Sequence, residues 1–202
     1  MYSPKYFKLE DENMIDEIIE QHSFATLISY QNEEPIATHL PLVLDRENEC
    51  LYGHFAKPNQ QWKTYENQSF LAIFHGPHSY ISSSWYETET AVPTWNYVTV
   101  HVYGKMELME DSMAISKALT NLVEKYEAPN SSYSLENVDA TYIEQLSKGI
   151  VPFKLHITKI EAKAKLSQNH PPERKQRVIQ QLEKSTRQED HEVAAWMKRF
   201  LE

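Results

Sequence analysis

Residues 75–105, HGPHSYISSSWYETETAVPTWNYVTVHVYGK, carry the strongest structural signal in the sequence. Near the end of this stretch, VTVHVY at 98–103 alternates valines with polar or aromatic residues. A period of two is typical of a β-strand with one face in a core. The apolar run at 70–74 leads into the stretch and predicts a central strand, and the Gly-Pro pair between His75 and His78 predicts a turn.

The segment between these predicted strands is rich in aromatic rings and small hydroxyls. It contains Trp85 and Trp95, several tyrosines and the serine triplet at 82–84. Rings offer stacking area to a flat, partly polar ligand, and hydroxyls can donate or accept hydrogen bonds at its rim. The alternative is that the rings only pack as cross-strand neighbours, and composition by itself favours that alternative.

Composition and length describe one globular protein. The 202 residues suffice for a single domain with a two-layer core, and 41% hydrophobic residues exclude a disordered chain. No apolar run approaches the roughly 18 residues that a membrane span needs. The N-terminal sequence lacks the apolar core of a signal peptide, and the single Cys50 cannot form an internal disulfide. The sequence therefore predicts a cytoplasmic protein.

The net charge of −9 is distributed unevenly along the chain. Residues 1–158 carry 10 Lys and Arg against 22 Asp and Glu, whereas residues 159–202 carry 10 against 7. An acidic body disfavours nonspecific contact with nucleic acid. The mildly basic C-terminal segment is a weak signal for such contact, and a solvated helical face explains it equally well.

Short strands dominate the first part of the chain and the region just before the C-terminal segment. Their close spacing favours an antiparallel sheet or barrel over alternating βαβ units. The last predicted strand, far along the chain, is expected to return and close the barrel. The predicted strands comprise residues 24–30, 35–44, 50–56, 70–74, 79–86, 92–109 and 151–166.

Before the C-terminal extension, helices are predicted in four places. Asp11 can cap a short helix with an isoleucine stripe, and residues 59–67 predict another with Trp62 and Tyr65 on its inner side. Two helices with a loop between them are expected at 111–149. We therefore predict one domain over residues 1–170, which includes the helical insertion 111–149, and a helical C-terminal extension over 171–202.

The C-terminal extension carries an apolar stripe made by Val193, Trp196, Met197 and Phe200. Such a stripe must be covered, because a helix that exposes it would leave a large apolar face in water. Either the chain's own barrel or a partner subunit is expected to cover it.

Motifs with a fixed chemical meaning are absent from the sequence. It contains no GxGxxG, GxxxxGK[ST], HExxH, CxxC or GxSxG pattern, and no histidine pair has the spacing of metal ligands. No catalytic residue and no metal site are predicted. Lys57 and Asn59 follow a predicted strand and offer an ammonium and an amide to a phosphate, although solvated lysines are commoner. The polar run from Lys165 to Asn169 is either a plain turn or a hydrogen-bonding rim.

Four separated motifs resemble those of the PaiB family, in the same order and over nearly the whole chain. They are LYGHFAKPNQQW at 51–62, GPHSYISSSWY at 76–86, VPTWNYVTVHVYG at 92–104 and KLSQN at 165–169. That family consists of bacterial FMN-binding negative transcriptional regulators with the split β-barrel of pyridoxamine-phosphate oxidase. The resemblance implies an α+β, mainly antiparallel split β-barrel with peripheral helices, a homodimer, and FMN as cofactor at the dimer interface.

The resemblance also implies three groups of cofactor-binding residues. One group is expected on the phosphate side, one along the isoalloxazine edge, and one at the dimer seam. In that order, the groups are His54, Lys57 and Asn59; Ser82, Ser84 and Trp85; and Trp95, Asn96, Ser167 and Gln168. The chain departs from the family pattern at Ser83, where proline is frequent, and at His170, where arginine commonly follows SQN. Loss of that arginine removes a fixed charge and a bidentate donor.

Two classes of function follow from the resemblance, and a structural dimer with a vestigial pocket is a third alternative. The first is a negative transcriptional regulator that represses degradative-enzyme production and sporulation, and acts through DNA or another regulator. The second is a flavin-dependent oxidoreductase, in which the flavin does the chemistry and the protein positions it. No helix-turn-helix signature is visible, and the acidic body argues against a typical DNA reader.

Overall fold

A computed structural model describes residues 1–66 and 68–201. Within that part, eight strands form one sheet, and five α-helices lie before, between and after the strands along the chain. The helices are α1 (Glu12–Gln21), α2 (Ser112–Tyr126), α3 (Ala140–Ser147), α4 (Pro172–Glu183) and α5 (Gln188–Lys198). The strands are β1 (Lys8–Leu9), β2 (Phe24–Gln31), β3 (Glu34–Pro41), β4 (Val43–Asp45), β5 (Cys50–Ala56), β6 (Phe70–Ile81), β7 (Thr94–Leu108) and β8 (Ile150–Lys165).

Hydrogen-bonded strands follow the order β3-β2-β6-β7-β8-β5-β4, and β1 pairs with β8. The chain divides into two compact units. The first unit comprises Met1–His22, Phe74–His101 and Glu161–Glu202, and the second comprises Ser23–Ile73 and Val102–Ile160. Strands β6, β7 and β8 each contribute residues to both units. The predicted boundary between residues 170 and 171 stays a prediction.

In the second unit, the predicted hairpin is confirmed, but the strand predicted over 35–44 is interrupted at Leu42, and its end forms β4, which pairs with β5. β2 and β3 pair antiparallel from Phe24 opposite Pro41 to Gln31 opposite Glu34. Asn32 and Glu33 form the turn, with φ values of 51° and 67°. Positive φ at both positions is what a two-residue turn needs if it is to match the twist of the paired strands.

The second unit also brings two strands into unusually close approach at Gly104. A Cβ on this glycine would lie 2.6 Å from the carbonyl oxygen of His156 and 2.7 Å from Cγ of Leu155. Real side chains do not tolerate such distances, so only glycine fits between these strands.

The helix predicted at 59–67 is a shorter 3-10 helix, Gln60–Thr64, and Asn67 lies outside the described residues. The inner residue is Gln61, which is 3% exposed, and not the predicted Trp62 and Tyr65. The Gln61 amide donates to the carbonyl of Leu27 at 3.0 Å. Buried backbone acceptors need a donor, and an apolar ring facing inward would leave them unpaired.

In the first unit, α1 forms as predicted, with Asp11 accepting a hydrogen bond from the Met14 amide at 2.9 Å. The C-terminal helices bury their apolar stripe within this same unit. Val193 is fully buried, and Met197 and Trp196 are nearly so. The sequence left open whether the chain's own barrel or a partner subunit covers this stripe. The chain itself covers most of it.

Strand β6 corrects two expectations of the sequence. It runs without interruption from Phe70 to Ile81, so the turn predicted at Gly76 and Pro77 is wrong. A Cβ on Gly76 would lie 3.0 Å from the carbonyl oxygen of Val98, which explains glycine inside a strand. The strand predicted over 79–86 ends early because Ser82 caps a 3-10 helix, Ser83–Trp85.

Candidate functional site

The first unit contains a cleft of about 380 Å³ where three of the four family motifs meet. We call it the Lys165 cleft. Tyr86 comes from GPHSYISSSWY, Thr94 and Asn96 come from VPTWNYVTVHVYG, and Lys165 and Ser167 come from KLSQN. The rest of its wall includes His170 and Arg174, and no Asp or Glu belongs to its described lining.

Asn96 and Ser167 form the fixed floor of the cleft. Nδ2 of Asn96 donates to Oγ of Ser167 at 3.0 Å, and that hydroxyl lies 3.1 Å from Oδ1 of Asn96. Asn96 is fully buried and Ser167 is 3% exposed. Each side chain thus satisfies the other, as buried polar groups require. Their predicted place at a dimer seam stays a prediction.

Lys165 contributes a cation that has no acidic partner among residues 1–66 and 68–201. Its half-buried ammonium donates to Oγ1 of Thr94 and to the carbonyl of Trp95, both neutral acceptors. Burial, and secondarily the nearby Lys163, lowers the pKa of Lys165. A partly desolvated charge without a counter-ion is unfavourable until an anion joins it.

Arg174 brings a guanidinium next to His170 in the cleft wall. Nη1 of Arg174 lies 3.4 Å from Nδ1 of His170, and the guanidinium lies 4.8 Å from the ring centre of Tyr86. Nε donates to both carboxylate oxygens of Glu87 at 3.0 Å. Hydrogen bonds from Arg174 lower the pKa of Glu87 to about 2. Burial, followed by the charge of Arg174, lowers the pKa of His170.

Tyr86 lines the same cleft, and its hydroxyl is sealed from solvent behind the cleft wall. The residue is 8% exposed, and its hydroxyl is buried without a hydrogen-bond partner in the part of the chain that the structure describes. Burial raises the pKa of this phenol, so the hydroxyl keeps its proton and can donate. A buried polar atom without a partner is rare and points to a ligand or water at that place.

The predicted aromatic residues lie on the surface of the first unit. Trp95 is 48% exposed, and its ring centre lies 5.4 Å from that of His78 and 6.2 Å from that of Tyr80. Trp85 is half-buried, and the hydroxyls of Ser82 and Ser84 lie 2.8 Å apart.

Gln168 has a local structural role. Its Oε1 accepts from the Leu166 amide at 2.8 Å and its Nε2 donates to the Ala164 carbonyl at 2.6 Å. Both hydrogen bonds hold the bend after β8, so the Gln168 amide is already used within the chain.

The second unit contains the residues predicted for the phosphate side. His54 is half-buried in β5, and burial lowers its pKa. Lys57 follows β5 and is exposed. Asn59 caps the 3-10 helix through the Gln61 amide at 2.9 Å and donates to Oγ1 of Thr38 at 2.8 Å. Lys57 is therefore more available to a ligand than Asn59.

The four titratable residues of the cleft, Tyr86, Lys165, His170 and Arg174, are missing from the set that the sequence predicted. Tyr86 and Lys165 lie inside recognised motifs, and the motif matches were the signal that could have found them. His170 and Arg174 are four residues apart at the start of a helix, a spacing that brings side chains together. Nothing in the sequence predicts the pairing of Arg174 with Glu87, which is 87 positions away.

Neither a metal cluster nor a membrane span is found in the described residues. No group of three His, Cys, Asp or Glu side chains there could hold a metal ion. The helices of that same part are too short or too polar to cross a membrane.

Residues 1–159 match the family described as "Putative FMN-binding domain". The chain is 42% identical over 187 residues to the protease synthase and sporulation protein PAI 2 of Bacillus subtilis, covering 91% of this chain and 89% of that protein.

Two solved structures resemble the fold. The flavocytochrome Anf3 of Azotobacter vinelandii matches with a TM-score of 0.63 at 18% identity, over 81% of this chain and 72% of the other. The FAD and heme binding protein of Mycobacterium smegmatis matches with a TM-score of 0.61 at 14% identity, over 78% and 73%. The predicted α+β, mainly antiparallel split β-barrel is confirmed. With a relative that is 42% identical over most of both chains, this protein belongs to the PaiB family of FMN-binding-domain proteins.

Proposed function

We propose that this protein is a PaiB-type negative transcriptional regulator that controls protease production and sporulation, built on an FMN-binding split barrel. The regulatory role is supported by the 42% identity to the protease synthase and sporulation protein PAI 2. Cofactor binding is supported by the Lys165 cleft, because three family motifs converge on it. A cofactor-binding homodimer in the cytoplasm is part of the proposal. The single buried Cys50, a free thiol, is compatible with a reducing compartment.

The residues of the first unit fit flavin mononucleotide by their chemistry. A cleft of about 380 Å³ falls in the range of ligand pockets, about 300–1,000 Å³. Lys165 and Arg174 are cations suited to a phosphate, and the unpartnered Tyr86 hydroxyl is an additional donor. The exposed indole of Trp95 does not line the cleft, but it offers a stacking surface on the face of β7 opposite to Thr94 and Asn96. When bound, the flavin supplies redox chemistry, and the protein supplies binding and orientation.

The residue assignments remain part of the proposal. For the flavin phosphate two alternative groups are proposed: His54, Lys57 and Asn59 of the second unit, and Lys165 and Arg174 of the first. Ser82, Ser84 and Trp85 are proposed along the isoalloxazine edge. Trp95, Asn96, Ser167 and Gln168 are proposed for the dimer seam. The mutual hydrogen bonds of Asn96 and Ser167 favour a supporting role for this pair over direct contact with the ring.

A flavin titration of the purified full-length protein tests the proposal. We expect FMN fluorescence to be quenched with saturation at one flavin per chain, and a visible flavin absorption band to remain after gel filtration. No quenching at micromolar protein and flavin would contradict the FMN part of the proposal.

The same sample separates the regulator from the oxidoreductase. We expect the FMN-loaded protein to leave NADH and NADPH unoxidised beyond the rate of free FMN. We also expect transcription from protease promoters to fall when the protein is present in a reconstituted system. Rapid turnover of a reduced nicotinamide without any transcriptional effect would favour the oxidoreductase instead.

A further inference from the structure

We propose that the Lys165 cleft is a binding site for the phosphate group of a small molecule, with Lys165 as the anchoring cation and Tyr86 and Arg174 as further donors. The ligand class is a phosphate monoester. FMN is one source of such a group, and a second phosphorylated metabolite that accompanies the flavin is the other. The FMN source rests on the proposed function, whereas phosphate binding itself does not.

Lys165 is the first observation that points to an anion. Its ammonium is half-buried and donates only to a hydroxyl and a backbone carbonyl. The Lys165 ammonium has no carboxylate partner among the described residues, although the chain as a whole carries a net charge of −9. Because acidic side chains are abundant, their exclusion from the lining of this cleft leaves the cation free for an external anion.

Tyr86 is the second, independent observation. Its side chain is more than nine-tenths buried, lines the cleft, and holds a hydroxyl that no group in the described chain satisfies. A phosphate oxygen accepts hydrogen bonds from neutral and charged donors alike, so it suits the ammonium directly and this hydroxyl once the phenol side chain turns toward the cleft.

The N-terminus of α4 adds an electrostatic field that favours a bound anion. The helix has 12 residues, begins at Pro172, and has no side-chain cap on its first turn. Its N-terminal amides therefore keep unsatisfied donors, and the helix dipole favours a negative charge nearby. His170 and Arg174, which flank this terminus, both line the cleft.

Arg174 becomes available to a phosphate when the phosphate replaces the Glu87 carboxylate as its partner. It is bound by Glu87, at the start of the segment that also contributes Thr90 and Val92 to the cleft wall. Both members of this ion pair keep partial exposure, so a competing anion can reach the guanidinium. A phosphate dianion offers three oxygens and more charge than a carboxylate, so it competes for the guanidinium.

Phosphate fits this site better than a monocarboxylate does. A dianion can accept from the ammonium, the guanidinium and the phenol at once, whereas a carboxylate has two oxygens and one charge. The expected preference is therefore a phosphate ester over its dephosphorylated counterpart.

Calorimetric titration of the full-length protein in phosphate-free buffer tests the site. The ligands are inorganic phosphate, FMN and riboflavin, which is FMN without the phosphate. The variants are Lys165→Gln, Tyr86→Phe and Glu87→Gln, and the matched control is Lys184→Gln, an exposed lysine outside the cleft with the same charge change. Melting curves establish that each variant is folded.

We expect Lys165→Gln to weaken phosphate binding about 10-fold or more and Tyr86→Phe to weaken it by a few-fold, with no change in Lys184→Gln. Glu87→Gln should strengthen phosphate binding because it releases Arg174. Unchanged phosphate affinity in folded Lys165→Gln and Tyr86→Phe would overturn the inference.

Competition between the ligands identifies the source of the phosphate. If FMN displaces inorganic phosphate and Lys165→Gln weakens FMN but not riboflavin, the site holds the flavin phosphate. If phosphate binds to the FMN-loaded protein, the site holds a second ligand. If phosphate binds and FMN does not, the phosphate site stands and the FMN part of the proposed function fails.

Discussion

Asn96 and Ser167 hold each other across the base of the Lys165 cleft, at 3.0 Å and 3.1 Å between their polar atoms. Nδ2 of Asn96 also lies 3.4 Å from Sδ of Met197 in α5. The contact ties β7, the end of β8 and the C-terminal helix together within the first unit. Ser167 adopts a φ of 64°, a left-handed conformation that is unusual for a residue other than glycine.

The Ser167 hydroxyl and its backbone conformation make separable contributions to stability. We expect Ser167→Ala to lower the free energy of unfolding by about 1–3 kcal/mol, because it leaves the Asn96 amide buried with a lost partner. Ser167→Gly removes the same hydroxyl but adopts the left-handed conformation without steric cost. It should therefore be more stable than Ser167→Ala by about 1 kcal/mol. Urea denaturation of both variants measures this difference, and equal stabilities would contradict the strain at this position.

The ion pair between Glu87 and Arg174 predicts a pH-dependent stability. The folded pKa of Glu87 is lowered from 4.5 to about 2, so the pair contributes stability that is present above pH 4.5. That contribution is lost as the pH falls from about 4.5 to about 2. We expect Glu87→Gln to melt at a lower temperature than the parent protein at pH 7, with the difference shrinking at pH 3.

Glu89→Gln is the matched control for this prediction, because Glu89 is an exposed acid two residues away. It should leave the melting temperature unchanged at both pH values. If the difference in melting temperature between Glu87→Gln and the parent grows as the pH falls, the predicted direction of the pH dependence is wrong.

Trp95 is expected to matter for flavin binding more than for folding. It is 48% exposed, so its removal costs little core packing. We expect Trp95→Ala to weaken FMN binding by about 10-fold, because aromatic stacking contributes about 1 kcal/mol or more. Tyr133→Ala is the control, since Tyr133 is an aromatic residue with 49% exposure outside the first unit. If Trp95→Ala loses as much free energy of unfolding as it loses free energy of FMN binding, the result would count against placing Trp95 at the dimer seam.

Direct DNA contact through the C-terminal helices is tested by charge reversal. Truncation after residue 170 is unsuitable, because it would leave the buried Ser79 and Asn96 side chains without their contacts to Asp190 and Met197 of α5. We expect the exposed pair Lys184→Glu and Lys198→Glu to weaken retention of promoter DNA in a gel shift and to reduce its salt dependence. The control reverses the charge at two exposed lysines of the second unit, with Lys63→Glu and Lys117→Glu. Equal retention by both double variants would exclude the tail as the DNA-contacting surface.

Local patterns predicted those parts of the fold that local forces decide. The alternation at 98–103 gave the buried face of β7, and the isoleucine stripe after Asp11 gave α1, because periodicity and capping act over a few residues. The turn expected at Gly76 failed because a close tertiary approach, and not a change of direction, requires glycine there. Gln61 was missed because the acceptors it satisfies belong to another strand.

The candidate site was predictable only in part for the same reason. Motif matches identified Asn96 and Ser167, whose hydrogen bonds join positions 71 residues apart. They did not identify Arg174, which reaches the cleft through the start of α4 and its pairing with Glu87. Long-range ion pairs leave no periodic trace in a single sequence.

A crystal structure of the full-length protein grown with FMN tests the proposed flavin-binding dimer most directly. We predict two chains related by a two-fold axis, with the flavin ring against Trp95 and its phosphate on cationic side chains of the site. FMN bound away from Trp85, Trp95 and Lys165, or a monomer without flavin at saturating FMN, would contradict it.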